Sequence, residues 1–158
     1  MAVFFETERL TIKGFEEEFL NNFISYRNNP EWMKYQSFKG KTKEEYRTAL
    51  LKENNLSRGT QFAVINKENG KLIGDMYLQK SSSDYYLGYT ISPEYSRKGY
   101  MFEAVTELKA VLRDIGARSI IAVVSNENTA SEKLLIKLGF SFTGMFSEDE
   151  KEYSYFLY

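Results

Sequence analysis

Between Tyr85 and Val124 the apolar residues change their period twice, and this change constrains the fold more than any other feature of the chain. Tyr85 to Ile91 reads as a strand. After a Ser92-Pro93 turn and the run Arg97-Lys98-Gly99, the residues Phe102, Val105, Leu108, Val111, Leu112 and Ile115 trace one face of a long helix that Gly116 ends. Ile120 to Val124 is then a continuous apolar run, as expected for a strand covered on both faces. Strand, helix and strand in that order make the two strands parallel, because parallel neighbours need a long crossover between them. The segment is one βαβ unit.

The flanking sequence has a different character. Leu10 and Ile12 alternate with Thr11 and Lys13 as in a short half-buried strand. Phe19, Leu20, Phe23 and Ile24 repeat at helical spacing up to the Asn28-Asn29-Pro30 breaker, and Thr42 with Glu45 forms a capping box before a second helix carrying Tyr46, Ala49 and Leu50. Gln61 to Asn66, a turn at Glu68-Asn69-Gly70-Lys71 and Leu72 to Gln79 make a hairpin, so that Tyr85 to Ile91 becomes the third of three antiparallel strands. A fourth helix is expected over Thr129 to Leu138, ended by Gly139, followed by strands at Phe142 to Phe146 and Tyr153 to Tyr158. One βαβ unit within antiparallel surroundings is an α+β arrangement. No repeat or linker divides the chain, so residues 1–158 are expected to form a single domain.

What the chain lacks restricts its chemistry. It has no cysteine and no histidine, which removes disulfides, thiolate nucleophiles, the commonest general base and the commonest metal ligands. Catalysis must use carboxylates, hydroxyls, amines or backbone dipoles, with no metal. The net charge of -1 offers no field for a nucleic-acid backbone. Met1 to Leu10 is interrupted by Glu6, Glu8 and Arg9, unlike a signal peptide, and no stretch is long enough to span a bilayer. A cytoplasmic protein without nucleic-acid or membrane partners is expected.

The run Ile91-Ser92-Pro93-Glu94-Tyr95-Ser96-Arg97-Lys98-Gly99-Tyr100-Met101 joins a strand to a helix. Such a junction aims unpaired backbone N–H groups at one place, where the helix dipole favours an anion. Gly99 removes a Cβ from the approach, and Arg97 and Lys98 add positive charge; an ordinary loop with solvated basic residues is the competing reading. No Gly-x-x-x-x-Gly-Lys-Ser/Thr run is present, nor a Gly-x-Gly-x-x-Gly with an acidic residue downstream. These absences argue against a nucleotide triphosphatase or a dinucleotide dehydrogenase.

In the order of its pieces the chain resembles the GNAT superfamily of N-acetyltransferases, specifically the branch of Rim-type ribosomal-protein N-terminal acetyltransferases. Glu6-Thr7-Glu8-Arg9-Leu10 resembles that branch's opening strand, and Gly88-Tyr89-Thr90-Ile91 with Pro93-Glu94-Tyr95 its central strand and turn. Lys98-Gly99-Tyr100-Met101 with Glu103-Ala104 resembles the coenzyme A loop and helix start; Asn128, Ser131 and Lys137-Leu138-Gly139-Phe140 resemble the helix and strand that follow. Ser96 stands where the family loop commonly has Arg or Gln, and Met101 where it has Gly or Ala.

The resemblance implies a GNAT fold, with a mixed, mostly antiparallel sheet of about seven strands, about four helices and one βαβ coenzyme-binding unit. It implies acetyl-CoA as cosubstrate, bound by Tyr89, Ile91, Arg97, Lys98, Gly99, Tyr100, Met101, Phe102 and Asn128, with the pantetheine arm in a gap between central strands beside Ile91. An amine would attack directly in a ternary complex, and a backbone N–H near Tyr89 to Ile91 would stabilise the oxyanion. Ser131 resembles the hydroxyl beside the coenzyme sulfur, although it also suits the first turn of a helix; Asn128 also suits a helix start beside a Thr129 and Glu132 capping box. Glu103 reads as a dipole partner at a helix start, and Glu148, Asp149 and Glu150 as a solvated turn or a source of the general base. Some aromatics between Trp32 and Phe38 are expected to line the acceptor cleft. The resemblance implies a small amine or a protein N-terminus as acceptor and allows a homodimer. The rival reading is a GNAT-like module that senses coenzyme A or binds a protein without turnover.

Overall fold

The computed structural model describes residues 3–158. Its strands are β1 (Val3–Glu6), β2 (Leu10–Gly14), β3 (Thr60–Asn66), β4 (Leu72–Ser81), β5 (Asp84–Ile91), β6 (Ser119–Ser125), β7 (Ser141–Met145) and β8 (Glu150–Phe156). Its helices are α1 (Leu20–Arg27), α2 (Lys43–Leu50), α3 (Tyr100–Asp114) and α4 (Thr129–Lys137). The strands form one sheet in the order β1-β2-β3-β4-β5-β6-β8-β7, in which only β5 and β6 pair in parallel. The α+β architecture and the βαβ unit are those read from the sequence.

The sheet has eight strands rather than about seven. The additional strand is β1, and the stretch Glu6 to Leu10 is not one strand: Thr7 to Arg9 form the turn between β1 and β2, closed by the Thr7 N–H donating to Leu10 O at 2.9 Å. The run Val3-Phe4-Phe5 does not alternate with polar residues, so it carried no strand periodicity. β8 begins at Glu150, earlier than Tyr153, because backbone pairing with β6 recruits Glu150, Lys151 and Glu152 whatever their side chains. β6 is not covered equally on both faces: Ile120, Ala122 and Val124 are buried, whereas Ile121 and Val123 are only partly so.

Alternation along β3 divides the core in two. Phe62 and Val64 join Met101, Ala104, Val105, Leu108 and Leu112 of α3 and Leu135 of α4, while Ala63 and Ile65 face Leu20, Phe23 and Tyr26 of α1 and Tyr46 and Leu50 of α2. The helix pairs therefore lie on opposite faces. α2 starts as the sequence requires, with Thr42 Oγ1 accepting from the Glu45 N–H at 3.1 Å and the Glu45 carboxylate accepting from the Thr42 N–H at 2.9 Å.

The pairing of β5 with β6 runs from Asp84/Ser119 to Leu87/Ala122 and stops. Beyond that point β5 continues against β4 as far as Ile91/Gly74, and β6 continues against β8 as far as Ser125/Glu150. The sheet opens at its centre. Gly74 permits the close approach of β4 to β5 there, since a Cβ on it would lie 2.5 Å from Thr90 O.

A buried polar group ties α1 to the same strands. The fully buried Asp75 carboxylate accepts from Arg27 Nη2 at 2.6 Å, Gln61 Nε2 at 2.6 Å and the Tyr26 hydroxyl. Burial, and then the neighbouring Asp75 carboxylate, hold the Tyr26 phenol well above its ordinary value, so it serves as a neutral donor. Arg27 reaches further, to Thr90 Oγ1 at 3.2 Å and Phe38 O at 2.9 Å. Asp75→Asn leaves the guanidinium buried without its counter-charge and should cost about 3–5 kcal/mol in urea unfolding. The double variant Arg27→Met/Asp75→Leu should cost markedly less than the sum of the single changes, because it strands neither charge.

Candidate active site

The opening between β5 and β6 continues into a cleft of about 570 Å³. The residues after β5 set its far wall. A short 3₁₀ turn over Pro93–Tyr95 is closed by the Ser96 hydroxyl, which donates to Pro93 O at 2.8 Å. The serine at the departing position of the loop is thus used within its own turn. Arg97 takes φ of 60°, the left-handed region that a non-glycine residue enters at a cost of about 1–2 kcal/mol. Gly99, at φ 78°, then caps α3. Only Arg9 Nη2, at 3.6 Å, would meet a Cβ on Gly99, so backbone conformation rather than crowding calls for glycine here. The first intrahelical bond is Glu103 N–H to Gly99 O, which leaves the N–H groups of the preceding first turn without a helical carbonyl.

Arg9 braces this loop from outside. Its Nη1 donates to Lys98 O at 3.1 Å, its guanidinium lies 4.2 Å from the centre of the Tyr100 ring, and its Nε meets Glu103 Oε1 at 2.6 Å. Glu103 also accepts from the Arg9 N–H at 2.9 Å and the Thr7 hydroxyl at 2.5 Å. Burial pushes its carboxyl up, but these bonds outweigh the burial and hold it below the usual range. Glu103 is an anchor for the β1–β2 turn and does not line the cleft.

Tyr89, Ile91, Arg97, Gly99, Tyr100, Met101, Phe102, Asn128 and Ser131 all line this one cleft, so residues far apart in sequence converge. Lys98 does not; its ammonium lies 5.9 Å from the centre of the Tyr95 ring. Met101 is buried in the core, which leaves its backbone as the part available to a ligand. Asn128 caps α4, its Oδ1 accepting from the Ser131 N–H at 3.2 Å. The Thr129 and Glu132 box does not form, because the Glu132 carboxylate accepts from Lys151 Nζ at 2.8 Å and from the Tyr153 hydroxyl.

Tyr89 and Ser131 meet in the cleft with their hydroxyl oxygens 2.9 Å apart. Burial, opposed by the bond to Ser131, pushes the Tyr89 phenol up to about 12. Trp32 closes the cleft from the loop after α1, its Nε1 donating to Ile91 O at 2.8 Å. The Tyr89–Ser131 and Arg9–Glu103 contacts, like Arg27–Asp75, join positions too distant in sequence for periodicity to connect. Glu148 and Asp149 lie in the turn between β7 and β8 and Glu150 opens β8, its O accepting from the Phe146 N–H at 2.9 Å; the three line neither this cleft nor the next.

A second cavity of about 450 Å³ lies on the α1/α2 side, lined by Phe38, Lys52, Glu53, Arg58, Gln61, Tyr77 and Gly88 among others. It meets the first at Gln36 and Tyr89, which line both. Phe38 is thus on the second cavity, while Trp32 and Tyr35 are on the first.

An anion-receptive helix start, a gap in the sheet and a second cavity beyond the gap suit a reaction between two substrates brought from opposite faces. Among proteins of known family, residues 9–141 match the acetyltransferase (GNAT) domain. A Bacillus licheniformis protein named as the uncharacterized N-acetyltransferase p20 is 30% identical over 153 residues, covering 92% of this chain and 86% of its own. The crystal structure of a GNAT-family acetyltransferase from Bacillus anthracis superposes with a TM-score of 0.86 at 27% identity, over 99% of both chains. Two more distant structures share the fold: a spermidine N-acetyltransferase from Vibrio cholerae in complex with CoA and spermine (TM-score 0.79, 20% identity, 94% and 96% of the chains) and RimL, a ribosomal L7/L12 alpha-N-protein acetyltransferase in complex with coenzyme A (0.82, 15%, 98% of each). With most of its length matched by that family and its central sheet opened beside a helix start, the chain belongs to the GNAT acetyltransferases.

Proposed function

We propose that this enzyme transfers the acetyl group of acetyl-CoA to a primary amine by direct attack in a ternary complex. The observation that carries this reading is the end of β5–β6 pairing at Leu87/Ala122, which frees strand backbone directly beside the start of α3. The pyrophosphate would dock on the N–H groups from Arg97 to Phe102, and the pantetheine arm would replace the missing strand contacts beside Ile91. Asn128 keeps its amide NH₂ for the pantetheine while its Oδ1 caps α4. The amine would enter from the α1/α2 side through the second cavity. The order of motifs brings the chain beside the Rim-type branch within the family.

Acetyl-CoA supplies an activated acyl carbon. The chain's own part is to orient it, exclude water and handle protons. The N–H of Tyr89 or Ile91, on the side of β5 that no longer pairs with β6, stabilises the oxyanion. As the new C–N bond forms and the C–S bond breaks, Ser131 Oγ gives its proton to the departing sulfur and regains one from the Tyr89 hydroxyl, which solvent restores. The amine's own proton leaves through the second cavity to water. Tyr89 suits this task because burial keeps it protonated across the working range.

Gly99→Val should raise the coenzyme dissociation constant at least tenfold in calorimetry with the fold intact, since a β-branched residue resists the left-handed cap; unchanged affinity in a folded variant would remove the loop from the site. Ser131→Ala should lower kcat about ten- to a hundredfold with coenzyme affinity nearly unchanged, because the hydroxyl acts in the transition state. A loss confined to coenzyme affinity would make Ser131 a binding residue. The pH profile of kcat/KM should rise as the acceptor amine loses its proton and show no falling limb up to pH 10, given the Tyr89 value of about 12; a falling limb near pH 9 that Tyr89→Phe abolishes would contradict the neutral donor. Thiol release from acetyl-CoA across an amine panel tests the reaction itself, because a sensor would bind coenzyme without releasing thiol.

A further inference from the structure

The second cavity is lined by charges that are not all paired. Of the cations along its lining, Arg27 is already neutralised by Asp75 at 2.6 Å. Lys52 and Arg58 are exposed, and among the described residues neither has an ion-pair partner. Glu53 is the single carboxylate lining the cavity, so its free charge is net positive. A second ammonium on an acceptor would meet repulsion here, whereas a carboxylate or phosphate would be attracted.

Arg58 is also held in place. Its loop is an Asx turn, with the Ser57 N–H donating to Asn55 Oδ1 at 3.0 Å and the Arg58 N–H to Asn55 O at 3.1 Å. The Lys80 N–H fixes the loop to β4 by donating to Leu56 O at 2.7 Å. Gly59, at φ 97°, sits so close against Tyr77 that a Cβ would fall 1.9 Å from its hydroxyl oxygen. The backbone of the loop that presents Arg58 is pinned at both ends, so that on binding only the exposed side chain has to be ordered.

Gly88 opens the way from this cavity to the gap. Its backbone is not left-handed, and a Cβ on it would meet nothing closer than Tyr77 Cβ at 3.6 Å, an ordinary contact. Neither the chain's conformation nor crowding demands glycine. What its missing side chain leaves is free space on the α1/α2 face of β5, at the first residue past the last β5–β6 pair.

We infer that the acceptor is a small primary amine carrying an anionic group, its carboxylate or phosphate held between Arg58 and Lys52 and its amino group passed over Gly88 to the thioester. This rests on the acetyltransferase reading. A cavity of about 450 Å³ matches an amino acid or an amino sugar phosphate in size.

The test uses the full chain with matched probes: glutamate against glutamine, glucosamine 6-phosphate against glucosamine, and spermidine as the cationic control. Thiol release should favour the anionic member of at least one pair by tenfold or more in kcat/KM. Arg58→Glu should bring that ratio to about one and improve spermidine, with the coenzyme constant unchanged, and Lys52→Glu should act in the same direction. Gly88→Val should raise KM or abolish transfer while leaving the melting temperature and coenzyme affinity intact. Turnover that favours spermidine or the neutral members, or a ratio that ignores Arg58→Glu, overturns the inference and leaves the acetyltransferase reading standing. Absence of thiol release with every amine would instead count against that reading. In that case the melting shift of the CoA-bound protein with each probe still decides the charge preference, and equal shifts for charged and neutral members overturn it.

Discussion

A sheet whose middle strands part must do something with the backbone groups it exposes, and this requirement organises the rest of the molecule. Past Leu87 and Ala122, β5 and β6 each have one partner where an interior strand has two. β5 is held to β4 instead, across a Gly74 with no Cβ to keep the backbones apart. On one face Arg27 grips Thr90 while paired to Asp75; on the other, Tyr89 is tied to the α4 start through Ser131. The opening is therefore braced from both sides, and a ligand can use it without first prising strands apart.

The two cavities divide the electrostatic work. The cleft beside α3 gathers backbone dipoles and keeps the Glu103 carboxylate outside, committed to Arg9 and Thr7. The cavity on the α1/α2 side is lined by Lys52 and Arg58, the latter on a loop held by backbone hydrogen bonds. Tyr89 belongs to both, and its hydroxyl is buried enough to remain a phenol where a surface tyrosine would begin to ionise.

Much of the fold was legible because it follows local rules: the period change from β5 through α3 to β6, the Thr42–Glu45 box and the glycines at helix ends are all written in neighbouring residues. β1 was missed because Val3-Phe4-Phe5 has no alternation, and the true start of β8 because Glu150 to Glu152 join by backbone pairing alone. Around the cleft, the loop from Arg97 to Phe102 could be singled out from its setting between strand and helix. Arg9, Arg27 and Asp75 could not, since each acts through a partner brought near only by the finished sheet. Lys98 is placed by contacts that its charge in the loop does not announce: its backbone carbonyl serves Arg9 and its side chain lies by Tyr95.

The chain contains one tryptophan, and its indole N–H rests on the Ile91 carbonyl at the mouth of the opening. That residue is 39% exposed, so its emission reflects both water and the strand it touches. Any molecule that takes the place of the absent strand must work around or displace this contact. The protein thus carries a single built-in fluorophore at the mouth of the opened sheet, free of background from any other indole, and occupancy of the cleft can be followed in the native chain without a label.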